Sequence, residues 1–120
     1  NVLVQAQIPV IEKMEYIFIH ADYSLMKIML EDILYIEGLK DYIKIHLRTQ
    51  KFPVVCRMTM KLIEEKLPSA EFQRIHKSFI VSLKKVESIR NQKIKIGENH
   101  IPLSDNYSEQ FYQTIGYQKP

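Results

Sequence analysis

The chain has 120 residues, 46% of them hydrophobic, and a formal net charge of +3. That length fits one domain with a real core, and the apolar share excludes a disordered tail. No apolar run approaches the ~20 residues of a membrane helix, no signal peptide is visible, and the single cysteine, Cys56, excludes an intramolecular disulfide and fits a reducing, cytoplasmic setting.

In chain order, residues 1–13 lack a clear hydrophobic period, contain Pro9 and read as a linker, with room for a short strand at Val2-Leu3-Val4. Tyr16–His20 is a strand, Ala21–Ser24 a turn and Leu25–Leu30 the returning strand. Glu31-Asp32 interrupts the pattern, Ile33–Glu37 is a third short strand, and Gly38–Asp41 is a loop. Tyr42–Arg48 alternates most cleanly. Ile43, Ile45 and Leu47 point one way and Lys44, His46 and Arg48 the other, which predicts one buried and one wet face. After a turn at Thr49-Gln50-Lys51, Phe52–Arg57 runs back as a hairpin partner. Pro53 puts that strand at an edge or near its own start, and Cys56 within it reads as a buried, inert thiol.

Thr59–Leu67 is a helix with Thr59 as N-cap. Met60, Ile63 and Leu67 form its apolar stripe, with Leu62 beside it, and Pro68 stops it because the residue before a proline avoids the helical region. Phe79–Leu83 and Lys93–Ile96 are strands, Gly97-Glu98-Asn99 is a hairpin turn, and His100–Leu103 returns. Ser104 stands where a cap is needed for a helix over Asp105–Ile115, packed through Tyr107, Phe111 and Ile115, and Gly116 ends it. The fold class is therefore mostly β, antiparallel strands and hairpins with one or two short helices. There is no βαβ alternation and no internal repeat.

No catalytic constellation is visible. Three glycines leave no phosphate-cradling loop, and the four histidines fit no zinc spacing. Neither cofactor nor metal is expected, and the chain does not read as an enzyme. Charge is distributed unevenly. Arg74, Lys77, Lys84, Lys85, Arg90, Lys93 and Lys95 crowd residues 74–95 against one acid, Glu87, whereas the first third is acidic. Such a half suggests one surface that faces a polyanion; lysines that solvate a sheet face are the alternative. Within this half, Phe72–Lys85 sets a turn of hydrogen-bonding and charged residues (Arg74, His76, Lys77, Ser78) between apolar anchors. That arrangement suits phosphate and base contacts and also suits a plain solvated hairpin corner. Phe72, Ile75, Phe79, Val81 and Leu83 are assigned to the core.

The run R-I-H-K-S-F-I-V-S-L, Arg74–Leu83, resembles the signature segment of LytTR-type DNA-binding domains, the output modules of many bacterial response regulators. Asp32–Glu37, Asp41–His46 and Ile101–Ser104 match further motifs of that family in the same order, so the resemblance covers residues 14–116. It implies an all-β core with short helices whose loops enter DNA grooves. It also implies a sequence-specific, double-stranded DNA-binding domain at 14–116, after a linker over 1–13 from an N-terminal receiver domain phosphorylated in a two-component phosphorelay, and before a tail over 117–120. Paired promoter sites and a dimer on DNA follow from the same resemblance, with no membrane partner.

Carried over residue by residue, the contacts fall on Lys40, Asp41 and Lys44, then His76 and Lys77, then Ser104 and Asn106. Lys77 stands where relatives often have Arg or Asn; it reaches guanine or phosphate but cannot make the bidentate pairing of Asn with adenine. Arg74 reads as a support for the turn through a buried pair with an acid. His76 reads either as a phosphate contact or as a structural turn histidine. Asp105 replaces a residue that is basic in many relatives and reads as a helix-start residue. Two other functions stay open on the residues alone. One is a β-domain for protein interaction or ligand sensing without nucleic acid. The other is a single-stranded RNA or DNA module, which would want more wet-face aromatics than Tyr35 and Tyr42 supply.

Overall fold

The computed structural model describes residues 13–118. The expected linker, apart from Lys13, and the expected strand at Val2–Val4 lie outside the described residues, as does the end of the expected tail. Three antiparallel sheets are stacked along the chain order. The first is the hairpin β1 (Tyr16–Ala21) and β2 (Ser24–Met29). The second has five strands in the order β5-β4-β3-β7-β6, built from β3 (Ile33–Leu39), β4 (Tyr42–Leu47), β5 (Val54–Arg57), β6 (Phe72–His76) and β7 (Phe79–Ser82). The third is β8 (Ser88–Arg90), β9 (Lys93–Ile96) and β10 (Asn99–Pro102). Helix α1 (Met60–Lys66) joins β5 to β6, and α2 (Asp105–Thr114) follows β10.

The five-stranded sheet is the middle layer because it is apolar on both faces. Ile36 pairs with Ile80 and Ile45, and Ile45 with Val54; this row joins a core shared with Ile17, Ile19 and Ile28 of the first hairpin and Ile63 of α1. One residue along, Tyr35 pairs with Val81, and both join a second core with Ile94, Ile96 and Ile101 of the third sheet and Phe111 of α2. Successive strand side chains alternate between faces, so the unbroken apolar runs of β3 and β7 are those of strands covered on both sides.

Most expected elements form where the sequence placed them. Thr59 caps α1, its hydroxyl accepting the Leu62 N–H at 3.1 Å. Leu67 leaves the helical region before Pro68. Strand β5 is an edge strand, and Pro53 lies just outside it. The Cys56 thiol is buried and donates to His20 O at 3.2 Å. Some details differ. Turns at Asp22-Tyr23 and Asn91-Gln92 and at Lys40 use positive φ without glycine. Asp and Asn tolerate that region through local side-chain hydrogen bonds. Strand β8 has three residues and a single apolar one, Ile89, too short to show a period. Ile115 falls just past the end of α2 and is exposed, while Phe111 carries the packing at 0% exposure.

Ser104 occupies the N-cap position of α2, but its side chain makes no capping bond. The amide that a cap hydroxyl would take, Tyr107 N–H, donates instead to the Ser104 carbonyl at 3.0 Å. The clean division of β4 into buried and wet faces also needs revision. Ile43 and Ile45 are fully buried, yet Lys44 and His46 are half-buried because Tyr35 and Glu37 of β3 lie against that face.

Candidate nucleic-acid interface

Backbone hydrogen bonds draw three distant segments to one end of the middle sheet. The β3–β4 turn, Lys40-Asp41, is closed by the pairing of Leu39 with Tyr42. The β6–β7 turn, Lys77-Ser78, is closed by the pairing of His76 with Phe79. Because β3 and β7 are neighbours, the two turns lie side by side, and Gly38 N–H donates to Ser78 O at 2.8 Å. The third segment joins them at the bulge between Arg74 and His76, where Ser104 N–H donates to Ile75 O at 2.9 Å. The N-terminus of α2 is thus tied to the strand that ends in His76. Gly38 lies in close approach to α1: a Cβ there would stand 2.7 Å from Met60 Cγ, so a larger residue would push the Met60 side chain aside.

Register also aligns side chains across the sheet. Lys44 is opposite Glu37, Glu37 opposite Phe79, and Phe79 opposite His76, so the four share one row on one face. At ~4.8 Å per strand, Lys44 and His76 stand about three strand spacings apart. Between them Glu37 accepts from His46 Nε2 at 3.1 Å, and the His46 ring stacks on Tyr35 with centroids 4.2 Å apart. Burial, and then the Glu37 carboxylate, push the Tyr35 phenol above its ordinary value.

The β6–β7 turn is built to be rigid. Arg74 Nη2 donates to Lys77 O at 2.6 Å and Nε to His76 O at 3.4 Å, while Nη1 lies 3.4 Å from Glu64 Oε1 on α1. Arg74 therefore supports the turn and pairs with an acid, as expected, although Glu64 is half-exposed rather than buried. The Ser78 N–H donates to His76 Nδ1 at 3.0 Å, which puts the ring proton on Nε2 and gives His76 a structural role in the turn. The Lys77 side chain is exposed beyond this scaffold.

The candidate residues accordingly fall into one region. Lys40, Asp41 and Lys77 occupy the two turns. Lys44 and His76 flank the row behind them. Ser104 and Asn106 begin α2 beside His76. Asp105 is engaged, its Oδ1 accepting from Gln92 Nε2 at 3.1 Å, and its charge sits in the first turn of α2, where it is favoured. Gln92 also takes Leu103 N–H on its carbonyl at 2.9 Å, so the β8–β9 turn anchors this segment. Sequence reasoning passed over Gln92; its only signal is a polar pair, Asn91-Gln92, between two short alternating stretches.

The seven cations of residues 74–95 do not make one surface. Arg74 and Lys77 belong to the β6–β7 turn. Lys84 and Lys85 lie past the other end of β7, where Lys84 Nζ pairs with Glu71 at 3.4 Å. Arg90, Lys93 and Lys95 lie on the third sheet. Among the described residues, no group of three or more His, Cys, Asp or Glu is placed to hold a metal, and no helix is long and apolar enough to cross a membrane.

Comparison with known proteins agrees with this geometry. The family described as LytTr DNA-binding domain matches residues 23–116. The sensory transduction protein LytT of Bacillus anthracis is 30% identical over 99 residues, and LytT of Bacillus cereus 29% over 99. Each alignment takes in 77% of this chain and 39% of the relative, so the chain spans about two fifths of the length of these relatives. Among solved structures, the LytTr DNA-binding domain of a methyl-accepting/DNA response regulator from Bacillus cereus superposes with a TM-score of 0.73 at 16% identity. That superposition covers 88% of this chain and 100% of the other, and establishes the shared fold. A match over 23–116, on a stacked antiparallel β-fold with two helices, shows that the chain belongs to the LytTr DNA-binding domain family.

Proposed function

We propose that this domain binds double-stranded DNA sequence-specifically, as the output module of a two-component transcriptional regulator in the bacterial cytoplasm. The observation that carries the reading is the convergence of the β3–β4 turn, the β6–β7 turn and the start of α2 at one end of the middle sheet, held by the Gly38–Ser78 and Ser104–Ile75 backbone bonds. Short rigid turns of this kind enter grooves and hold side chains against base edges while neighbouring amides and cations take phosphates. Lys77 is the base-reading candidate. Lys40, Lys44 and the Nε2–H of His76 are phosphate donors, Ser104 and Asn106 supply hydrogen bonds from α2, and Asp41 stands where it can accept from a base. Membership of a DNA-binding family rather than an enzymatic one supports a binding role without catalysis.

The larger assembly is proposed on the same footing. An N-terminal receiver joined through residues 1–13 fits the greater length of the LytT relatives, which are sensory transduction proteins. Two protomers on paired sites would then bind one promoter. The test is titration of the domain with a random-sequence duplex and with its separated strands at several salt concentrations. With about four phosphates neutralised, log K should fall with log salt at about −0.9 per phosphate, and duplex should be preferred. A flat response, or preference for single strands, overturns the reading.

A further inference from the structure

We infer that the outer face of the third sheet is a second, sequence-independent DNA contact, which carries phosphates flanking the segment held by the turns. The inference rests on the DNA-binding reading above and extends its footprint. Ile89, Ile94, Ile96 and Ile101 turn inward from this sheet to the second core. The alternate residues therefore point out. Register arranges them in two rows: Arg90 opposite Lys93, then Ser88 opposite Lys95, with His100 on the other side of Lys95. The rows lie two residues apart along a strand, about 6.8 Å. They line a shallow groove that also includes Glu98.

Three observations aim this face at DNA. First, it is continuous with the candidate interface: the β8–β9 turn between Arg90 and Lys93 is the turn whose Gln92 holds Leu103 and Asp105 at the start of α2. Second, its charge is uncommitted. Among the described residues Arg74, Arg48 and Lys84 are in ion pairs, whereas Arg90, Lys93 and Lys95 are in none. Third, its charge is polarised. The acids sit at the far end, where Glu98 occupies the β9–β10 turn and Glu87 Oε2 accepts from Gly97 N–H at 2.6 Å, while the Arg90–Lys93 row is nearest the α2 start. Cations without fixed partners beside a base-reading edge neutralise backbone phosphates and release counterions, which adds affinity without sequence preference.

The experiment compares the wild-type domain with R90A/K93A/K95A on random-sequence duplexes of about one and about three helical turns, at several salt concentrations, with thermal melting of both proteins. The expected result is a salt slope on the long duplex shallower by about 2–3 for the triple variant, a smaller gain in affinity from short to long duplex, and an unmoved melting temperature. R90K/K93R/K95R, which keeps the charge, should bind as wild type does. Equal slopes and affinities for wild type and triple alanine variant, with both binding duplex, overturn this inference and leave the DNA-binding reading standing. Absence of duplex binding by the wild type overturns both.

Discussion

Removing the Arg74 guanidinium tests whether the β6–β7 turn is held as its hydrogen bonds indicate. Arg74 lies opposite Ile80, beside α1, and its Nη2 donates to Lys77 O at 2.6 Å. A hydrogen bond from a charged group contributes about 1.5–3 kcal/mol. The Nε contact with His76 O is long at 3.4 Å and adds little. The ion pair with half-exposed Glu64 contributes at most about 1 kcal/mol. Arg74→Ala should therefore cost about 2–3 kcal/mol, a fall in melting temperature of roughly 10 °C for a domain of this size. Glu64→Ala should cost no more than about 1 kcal/mol. Arg74→Lys should fall between them, because an ammonium cannot make the forked contacts of a guanidinium. On duplex DNA, Arg74→Ala should weaken binding at nearly unchanged salt slope, since the Arg74 guanidinium is engaged with Lys77 O and Glu64 and positions the turn. Thermal melts and duplex titrations of the three variants decide the matter. A melting temperature for Arg74→Ala within about 2 °C of wild type, or equal losses for Arg74→Ala and Glu64→Ala, would refute the reasoning.

Lys77→Ala should leave stability within about 0.5 kcal/mol, because Arg74 binds the Lys77 carbonyl and not its side chain. It should cost about 1–3 kcal/mol on specific DNA, and equal losses on specific and random duplex would reassign Lys77 to phosphate. Phe111→Ala, at a fully buried site, should cost about 3–5 kcal/mol and weaken DNA binding through the start of α2; melts and titrations at a temperature where the variant stays folded separate the two effects. Stability should also fall in alkali. Burial raises the Cys56 thiol above its ordinary 9.0 and the Tyr35 phenol above 10.0. The folded state then holds protons that the unfolded state releases, so the contribution is complete below pH 9 and is lost as pH rises through the folded values. Cys56→Val should change stability at pH 7 by less than about 1.5 kcal/mol and delay the onset of the alkaline loss in denaturant midpoints measured across pH.

What the sequence revealed is what is local in period or chemistry. The alternation of Ile43, Lys44 and Ile45 located β4, and Thr59 with Pro68 bracketed α1 to within a residue. The motifs at Asp32–Glu37, Arg74–Leu83 and Ile101–Ser104 placed the candidate segments. What stayed hidden depends on register. That Lys44 and His76 share a row, and that Ser104 reaches Ile75 across a bulge, follows from strand order, which no single strand encodes. The basic half read as one surface because Arg74 and Lys95 are near in sequence. Between them the chain passes from the middle sheet to the third sheet through a 3-10 turn at Leu83–Lys85, which leaves Lys84 and Lys85 at the far end of β7, away from the two turns. Ser104 looked like a capping residue because its type favours that role, and the backbone alone met the need.

One end of this domain is proposed to read duplex sequence. The most direct test is selection: the domain is mixed with randomised duplex DNA, the retained molecules are sequenced, and the enriched motif is compared with that selected by Lys77→Ala. A defined motif is expected, recovered as paired sites in the longest duplexes, with preference relaxed at one position per site in the variant. A retained pool indistinguishable from the starting one, or a motif unchanged by Lys77→Ala and by changes at Lys40, Lys44 and Asn106, would contradict this reading.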